Sequence, residues 1–131
     1  MDRGGFWRRG LGLVKRGDIV TAVLTRDFGK PRPALVVQAD AFEALPTVTL
    51  LPFTSDLQDA HLLRIGVEPT ASNGLDRMSQ VQIDKVTTVR TAKLGGQVGT
   101  LDAAVMRRVD EALGRFLGIA ATAMNPGVAS P

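Results

Sequence analysis

The sequence predicts a β-rich α+β domain, a set of short strands followed by a single amphipathic helix. Apolar, β-branched segments recur at 19–24, 33–38, 48–53, 61–67 and 77–90, bounded by Gly, Pro, Asp or Asn turn signals. Only residues 101–117 carry a sustained helical period. The 131 residues, 44% of them hydrophobic, suffice for one core and are too few for two large domains.

Residues 1–13 are rich in Gly and Arg, with Phe6 and Trp7 as the bulky anchors, and read as an irregular leader. Trp7 suits covering a hydrophobic edge more than stacking on a base. The domain, residues 14–119, opens where Gly17-Asp18 makes a turn signal ahead of the β-rich run 19–24. An Asp just before a strand ordinarily bonds nearby backbone, so Asp18 is read in that way rather than as a catalytic carboxylate. Residues 25–32 form a long loop running into strand 33–38. There Pro31 and Pro33 leave Lys30 and Arg32 few backbone options. A guanidinium preset at a strand mouth loses little entropy when it grips a phosphate, although a solvated Arg in a turn has the same local sequence. Ala34, Leu35, Val36 and Val37 are apolar on both faces, which marks a central strand.

Residues 39–45 allow about one helical turn before Pro46 stops it. Strand 48–53 ends in Pro52-Phe53-Thr54-Ser55-Asp56, placing two hydroxyls and a carboxylate where an apolar strand emerges. An ordinary turn or cap accounts for the same residues. His61, the single histidine, has no Ser, Cys or second His arranged around it and is read as a surface or edge residue. Residues 68–75 are loop. In 77–90 two β-prone pieces meet around Asp84-Lys85, with Ser79, Val81 and Ile83 on one face and Met78, Gln80 and Gln82 on the other. An outward row of amides suits base contacts or simple solvation. Gly95, Gly96 and Gly99 make the next segment loop-like until Thr100 caps the helix. Its stripe of Val105, Val109, Ala112, Leu113, Phe116 and Leu117 should pack on the sheet. Arg107, Arg108, Asp110, Glu111 and Arg115 then face solvent. Residues 120–131 read as a disordered tail.

The formal charge is +3 and the pI near 10.0, a modest basic bias that suits a polyanionic partner. With no Cys and one His, disulfides, thiolate zinc sites and His-built metal sites are excluded or implausible. No apolar run is long enough to span a bilayer, and the Arg8, Arg9, Leu11, Leu13 segment is broken by Gly10 and Gly12, so a cytoplasmic protein is expected.

The order of these pieces resembles the MazF/PemK family of toxin endoribonucleases. The likeness is carried by Arg16-Gly17-Asp18-Ile19-Val20, Gly29-Lys30-Pro31-Arg32-Pro33-Ala34-Leu35-Val36-Val37, Leu51-Pro52-Phe53-Thr54-Ser55 and Gly99-Thr100-Leu101. The resemblance implies a compact SH3-like β-barrel with a C-terminal helix, a two-fold homodimer, and cleavage of single-stranded RNA at short preferred sequences without metal or other cofactor. It further implies a toxin of a type II toxin–antitoxin system that inhibits translation and growth, with a cognate antitoxin as partner. The family's Arg of the Arg-Pro loop and Thr at the strand end fall on Arg32 and Thr54. Attack by the RNA's own 2′-OH requires the protein to position the backbone, stabilise phosphorane charge and move protons. Arg32 can make paired charge-assisted bonds to those oxygens and Thr54 one more. A guanidinium is too weak an acid to be the natural proton donor.

Lys30, Ser55, Arg77, Ser79, Gln80 and Gln82 are the expected RNA-binding residues, the two glutamine amides being able to read edges of splayed bases. The chain departs from members that carry an Arg and an Asp close together on a later strand. Asp76 and Arg77 are near but out of register, and the general base is left to Asp27, another loop carboxylate, or to positioning alone. Two alternatives keep the fold: a gyrase-binding toxin of the CcdB type, and an inactive SH3-like binding module.

Overall fold

Alternation along three neighbouring strands organises the molecule. In the computed structural model, which describes residues 14–24 and 29–119, β1 (Asp18–Val23), β2 (Pro31–Val36) and β3 (Thr47–Thr54) lie side by side and antiparallel. Their register aligns Ile19 with Leu35 and Leu35 with Leu51. Successive side chains point to opposite faces, so this row enters one core while Val20, Ala34, Val36 and Leu50 enter another. The strand anticipated as central is therefore buried on both sides.

Four more strands complete the sheet: β4 (Arg64–Val67), β5 (Ser79–Gln82), β6 (Thr87–Arg90) and β7 (Leu94–Thr100). The order is β4-β5-β3-β2-β1-β7, with β6 also pairing β3. β6 takes the first half of β3 and β5 takes its end, at Phe53–Val81 and Thr54–Gln80. Among the described residues no ladder joins β4 to β7, so the expected barrel is barrel-like without being closed. The helix α1 (Ala103–Leu117) covers the first core through Val109 and Ala112. Beside it, Arg16 donates to Asp110 and to the Val37 carbonyl, so Asp110 is not merely on a wet face.

Several boundaries differ from expectation for identifiable reasons. β2 begins at Pro31, which puts Arg32 inside a strand, opposite Ala22, rather than in the loop. Val37 N–H bonds the Thr49 carbonyl, and the Val36 carbonyl accepts from Gly17. Odd-numbered residues of β2 thus face β3 and even-numbered ones face β1. Pro31 and Pro33 have no N–H to offer β3, and the β2–β3 ladder ends short of them, at Ala34–Pro52.

The segment expected to be a loop because of its glycines is strand β7, paired with β1. Its glycines record close packing: a Cβ on Gly95 would lie 2.1 Å from Thr21 Oγ1, and one on Gly99 would lie 2.3 Å from the Ser72 carbonyl oxygen. Thr100, the expected cap, is the last residue of β7, and Asp102 caps α1 instead, accepting from Ala104 and Val105 N–H. Gly118 then ends the helix in a left-handed conformation, φ 75°. The helix stripe buries only its middle, leaving Phe116 and Leu117 about half exposed. β4 starts at Arg64, with His61 exposed in the preceding turn. Trp7, Asp27, the 1–13 leader and the 120–131 tail lie outside the described residues.

Candidate active site

Where β2 and β3 cease to pair, a cavity of about 830 Å³ opens between them. The antiparallel count that pairs Ala34 with Pro52 would set Arg32 against Thr54 two residues further on, and both line the cavity. Ser55, Arg77, Ser79 and Gln82 join them. Thus strand ends distant in sequence bring one guanidinium and one hydroxyl to the same space, with a second Arg at the rim.

Thr54 is the final residue of β3, and its Oγ1 accepts the Asp56 backbone N–H at 3.0 Å. With one lone pair so occupied, the hydroxyl proton is available to donate to a ligand oxygen. Ser79 is buried, and its Oγ donates to the Arg77 carbonyl at 2.9 Å, which fixes the backbone carrying Arg77 rather than offering a free hydroxyl. Gln82 and Pro52 both line the cavity wall.

Lys30 is exposed just ahead of β2 and outside the lining. Gln80 also lies outside it, and here the structure replaces an outward, base-reading amide with an engaged one. Its Oε1 accepts from Gln58 N–H at 3.1 Å and Arg64 Nη1 at 3.0 Å, while its Nε2 donates to the Gln58 carbonyl at 3.0 Å. The physical reason is register: Gln80 stands opposite Thr54 and Gly66, beneath the loop that joins β3 to β4.

Thr21, Asp56 and Asp76 line the cavity without having been singled out as site residues. Thr21 is the one polar residue within the apolar run 19–24 and pairs with Pro33, a break in that run that could have found it. Asp76 and Arg77 sit on the loop before β5, not on a strand, so a carboxylate and a guanidinium reach the rim together by a different route. That loop is pinned by Asn73, buried and bonded through its side chain to Thr70 N–H, Leu75 N–H and the Glu68 carbonyl. Gly74 lets it dock, having φ 67° and a Cβ position 2.2 Å from the Val98 carbonyl oxygen.

Asp18 lies elsewhere, accepting from Lys15 N–H at 2.8 Å as its position before a strand predicts. Burial pushes its carboxyl up, against the lowering effect of that N–H. Among the described residues no three His, Asp or Glu side chains gather to hold a metal ion. No helix among them is long and apolar enough to cross a membrane.

The chain is similar to known proteins over most of its length. The probable endoribonuclease MazF of Mycolicibacterium smegmatis is 50% identical over 108 residues, covering 82% of this chain and 99% of that one. Endoribonuclease EndoA of Bacillus subtilis is 34% identical over 107 residues, covering 77% and 91%. The structure of Mycobacterium tuberculosis toxin MazF-mt6 superposes with a TM-score of 0.68 at 29% identity, over 78% of this chain and 97% of that one. A family model for PemK-like, MazF-like toxins of type II toxin–antitoxin systems matches residues 15–117. With the strand-end Arg and Thr in one cavity and the match spanning nearly all the described residues, the chain belongs to this MazF/PemK toxin family.

Proposed function

We propose that this toxin is an endoribonuclease that cuts single-stranded RNA at the Arg32–Thr54 cavity by attack of the substrate's own 2′-OH on the neighbouring phosphorus. The observation that carries the reading is the convergence of Arg32 and Thr54 at the point where the β2–β3 ladder ends. Family membership and the endoribonuclease relatives support the same reaction class.

Phosphoryl oxygens that gain charge in the transition state meet the Arg32 guanidinium, whose planar fork matches two of them. Thr54 donates one more hydrogen bond to one of these oxygens from a hydroxyl already oriented by the Asp56 N–H. Arg77 supplies a further positive charge at the rim, and Gln82 presents an amide for base recognition. A cavity carboxylate, Asp56 or Asp76, takes the 2′-OH proton. As the O2′–P bond forms the P–O5′ bond breaks, leaving a 2′,3′-cyclic phosphate, and the departing 5′-oxygen takes a proton from that carboxylic acid or from water. These groups achieve charge stabilisation and proton transfer without a metal ion. Lys30, outside the lining, draws the polyanion in.

The toxin acts in the cytoplasm as a homodimer. Its cognate antitoxin, the partner that a type II toxin–antitoxin system supplies, blocks the same cavity.

Digestion of a long unstructured RNA in EDTA tests this, with every cut end mapped. Wild type should cut at a short repeated sequence, while Arg32→Ala and Thr54→Ala should each lose about 10²- to 10³-fold in kcat. A folded, antitoxin-free wild type that leaves the RNA intact would overturn the assignment.

A further inference from the structure

We infer that Gln80 and Arg64 are positioning residues, a polar clasp that holds the Thr54–Asp56 turn in its reactive geometry. The inference rests on the nuclease reading above and assigns a role to side chains lying outside the cavity.

The nine residues 55–63 joining β3 to β4 carry Ser55 and Asp56 into the cavity and contain no helix or strand. A segment without its own ladder keeps one conformation only through outside contacts. Here they form a closed circuit. The Asp56 N–H donates to Thr54 Oγ1, and the Asp56 carbonyl accepts from Arg64 Nη1 at 3.2 Å. Arg64 Nη1 also donates to Gln80 Oε1, and Gln80 stands opposite Thr54 in the β3–β5 ladder. Gln80 meanwhile grips both polar groups of the Gln58 backbone.

Each bond in this circuit is at least partly exposed, so its contribution to global stability is small. Its effect on geometry is not. The direction of the Thr54 hydroxyl follows the Asp56 peptide, which Arg64 holds, and the Gln80 amide holds Arg64. Removing that amide frees both Arg64 and Gln58 and lets the turn drift away from the scissile phosphate. Because the clasp lies outside the lining, substrate affinity should change much less than turnover.

The test is steady-state cleavage of an RNA oligonucleotide carrying a cut site mapped with wild type, together with backbone amide hydrogen exchange. Gln80→Ala should lower kcat about 10- to 100-fold with little change in KM, as misplacement by about 1 Å does. Exchange at Asp56 and Gln58 should quicken while β1–β3 stay protected. Gln80→Glu should recover part of kcat, since a carboxylate still accepts from Gln58 N–H and Arg64 but sets an oxygen against the Gln58 carbonyl where Nε2 donated. Wild-type kcat in Gln80→Ala would overturn the clasp, as would a loss confined to KM, which would make Gln80 a direct RNA contact. Protection lost throughout the sheet would reduce it to a structural residue and overturn it equally. A wild type that does not cleave would instead overturn the nuclease reading, and the clasp's role with it.

Discussion

The three central strands and the rim of the cavity are held by different forces. β1–β3 are locked by rows of side chains such as Ile19, Leu35 and Leu51, each wholly buried. The rim depends on single polar residues: Asn73 for the 68–78 loop, and Gln80 with Arg64 for the 55–63 loop. Apolar burial is non-directional and distributed over many contacts, so the strands tolerate small displacements as a unit. A hydrogen-bonded loop has an orientation only while each donor and acceptor stays paired. The slab supplies stability, and the rim supplies aim.

Substitutions in each region should separate these roles. Leu51→Ala, in the slab, should cost about 2–5 kcal/mol in urea unfolding, while cleavage per folded molecule stays near wild type. If turnover collapsed at full folding, the division between slab and rim would be wrong. Asn73→Ala leaves the buried Leu75 N–H and the part-buried Thr70 N–H and Glu68 carbonyl without their partner and should cost about 1–3 kcal/mol. Amide exchange should show the loss concentrated in residues 68–78, with β1–β3 still protected; a uniform loss would merge the two regions.

The smallest effect belongs to Asp18, whose carboxyl burial has pushed up. The native state then holds its proton to higher pH than the unfolded chain does. Stability should therefore fall as pH rises from about 3.9, the ordinary Asp value, through the raised native value, and the cost persists above it. Asp18→Asn should flatten the Tm–pH curve in that window and raise Tm at neutral pH, read by thermal unfolding across the acid range. A steeper curve in the variant would contradict the assignment.

The same division explains what could be read from the chain alone. Continuous apolar, β-branched runs mark the slab, and abrupt changes of composition at strand ends single out Arg32, Thr54 and Ser55, which line one cavity; their roles come from the family resemblance. The bonds of Gln80 are not legible in the chain, because alternation reports which face a side chain takes and not what the facing loop will offer it. β7 was obscured since Gly95 and Gly99 look like breakers locally, while the reason for them is backbone approach by segments far away in sequence. Asp76 and Arg77 reach the rim on a loop whose course depends on Asn73, a link that no periodic signal encodes.

The two prolines of β2 determine what can settle into the cavity. With Pro31 and Pro33 directed towards the parted side of the ladder, that margin of the strand has carbonyls and no amide protons. An extended peptide cannot zip onto it as an eighth strand, since every second rung would lack a donor. An inhibitor entering here can give its own N–H groups to those carbonyls but receives no donor in return, so its side chains must supply the rest of the hold.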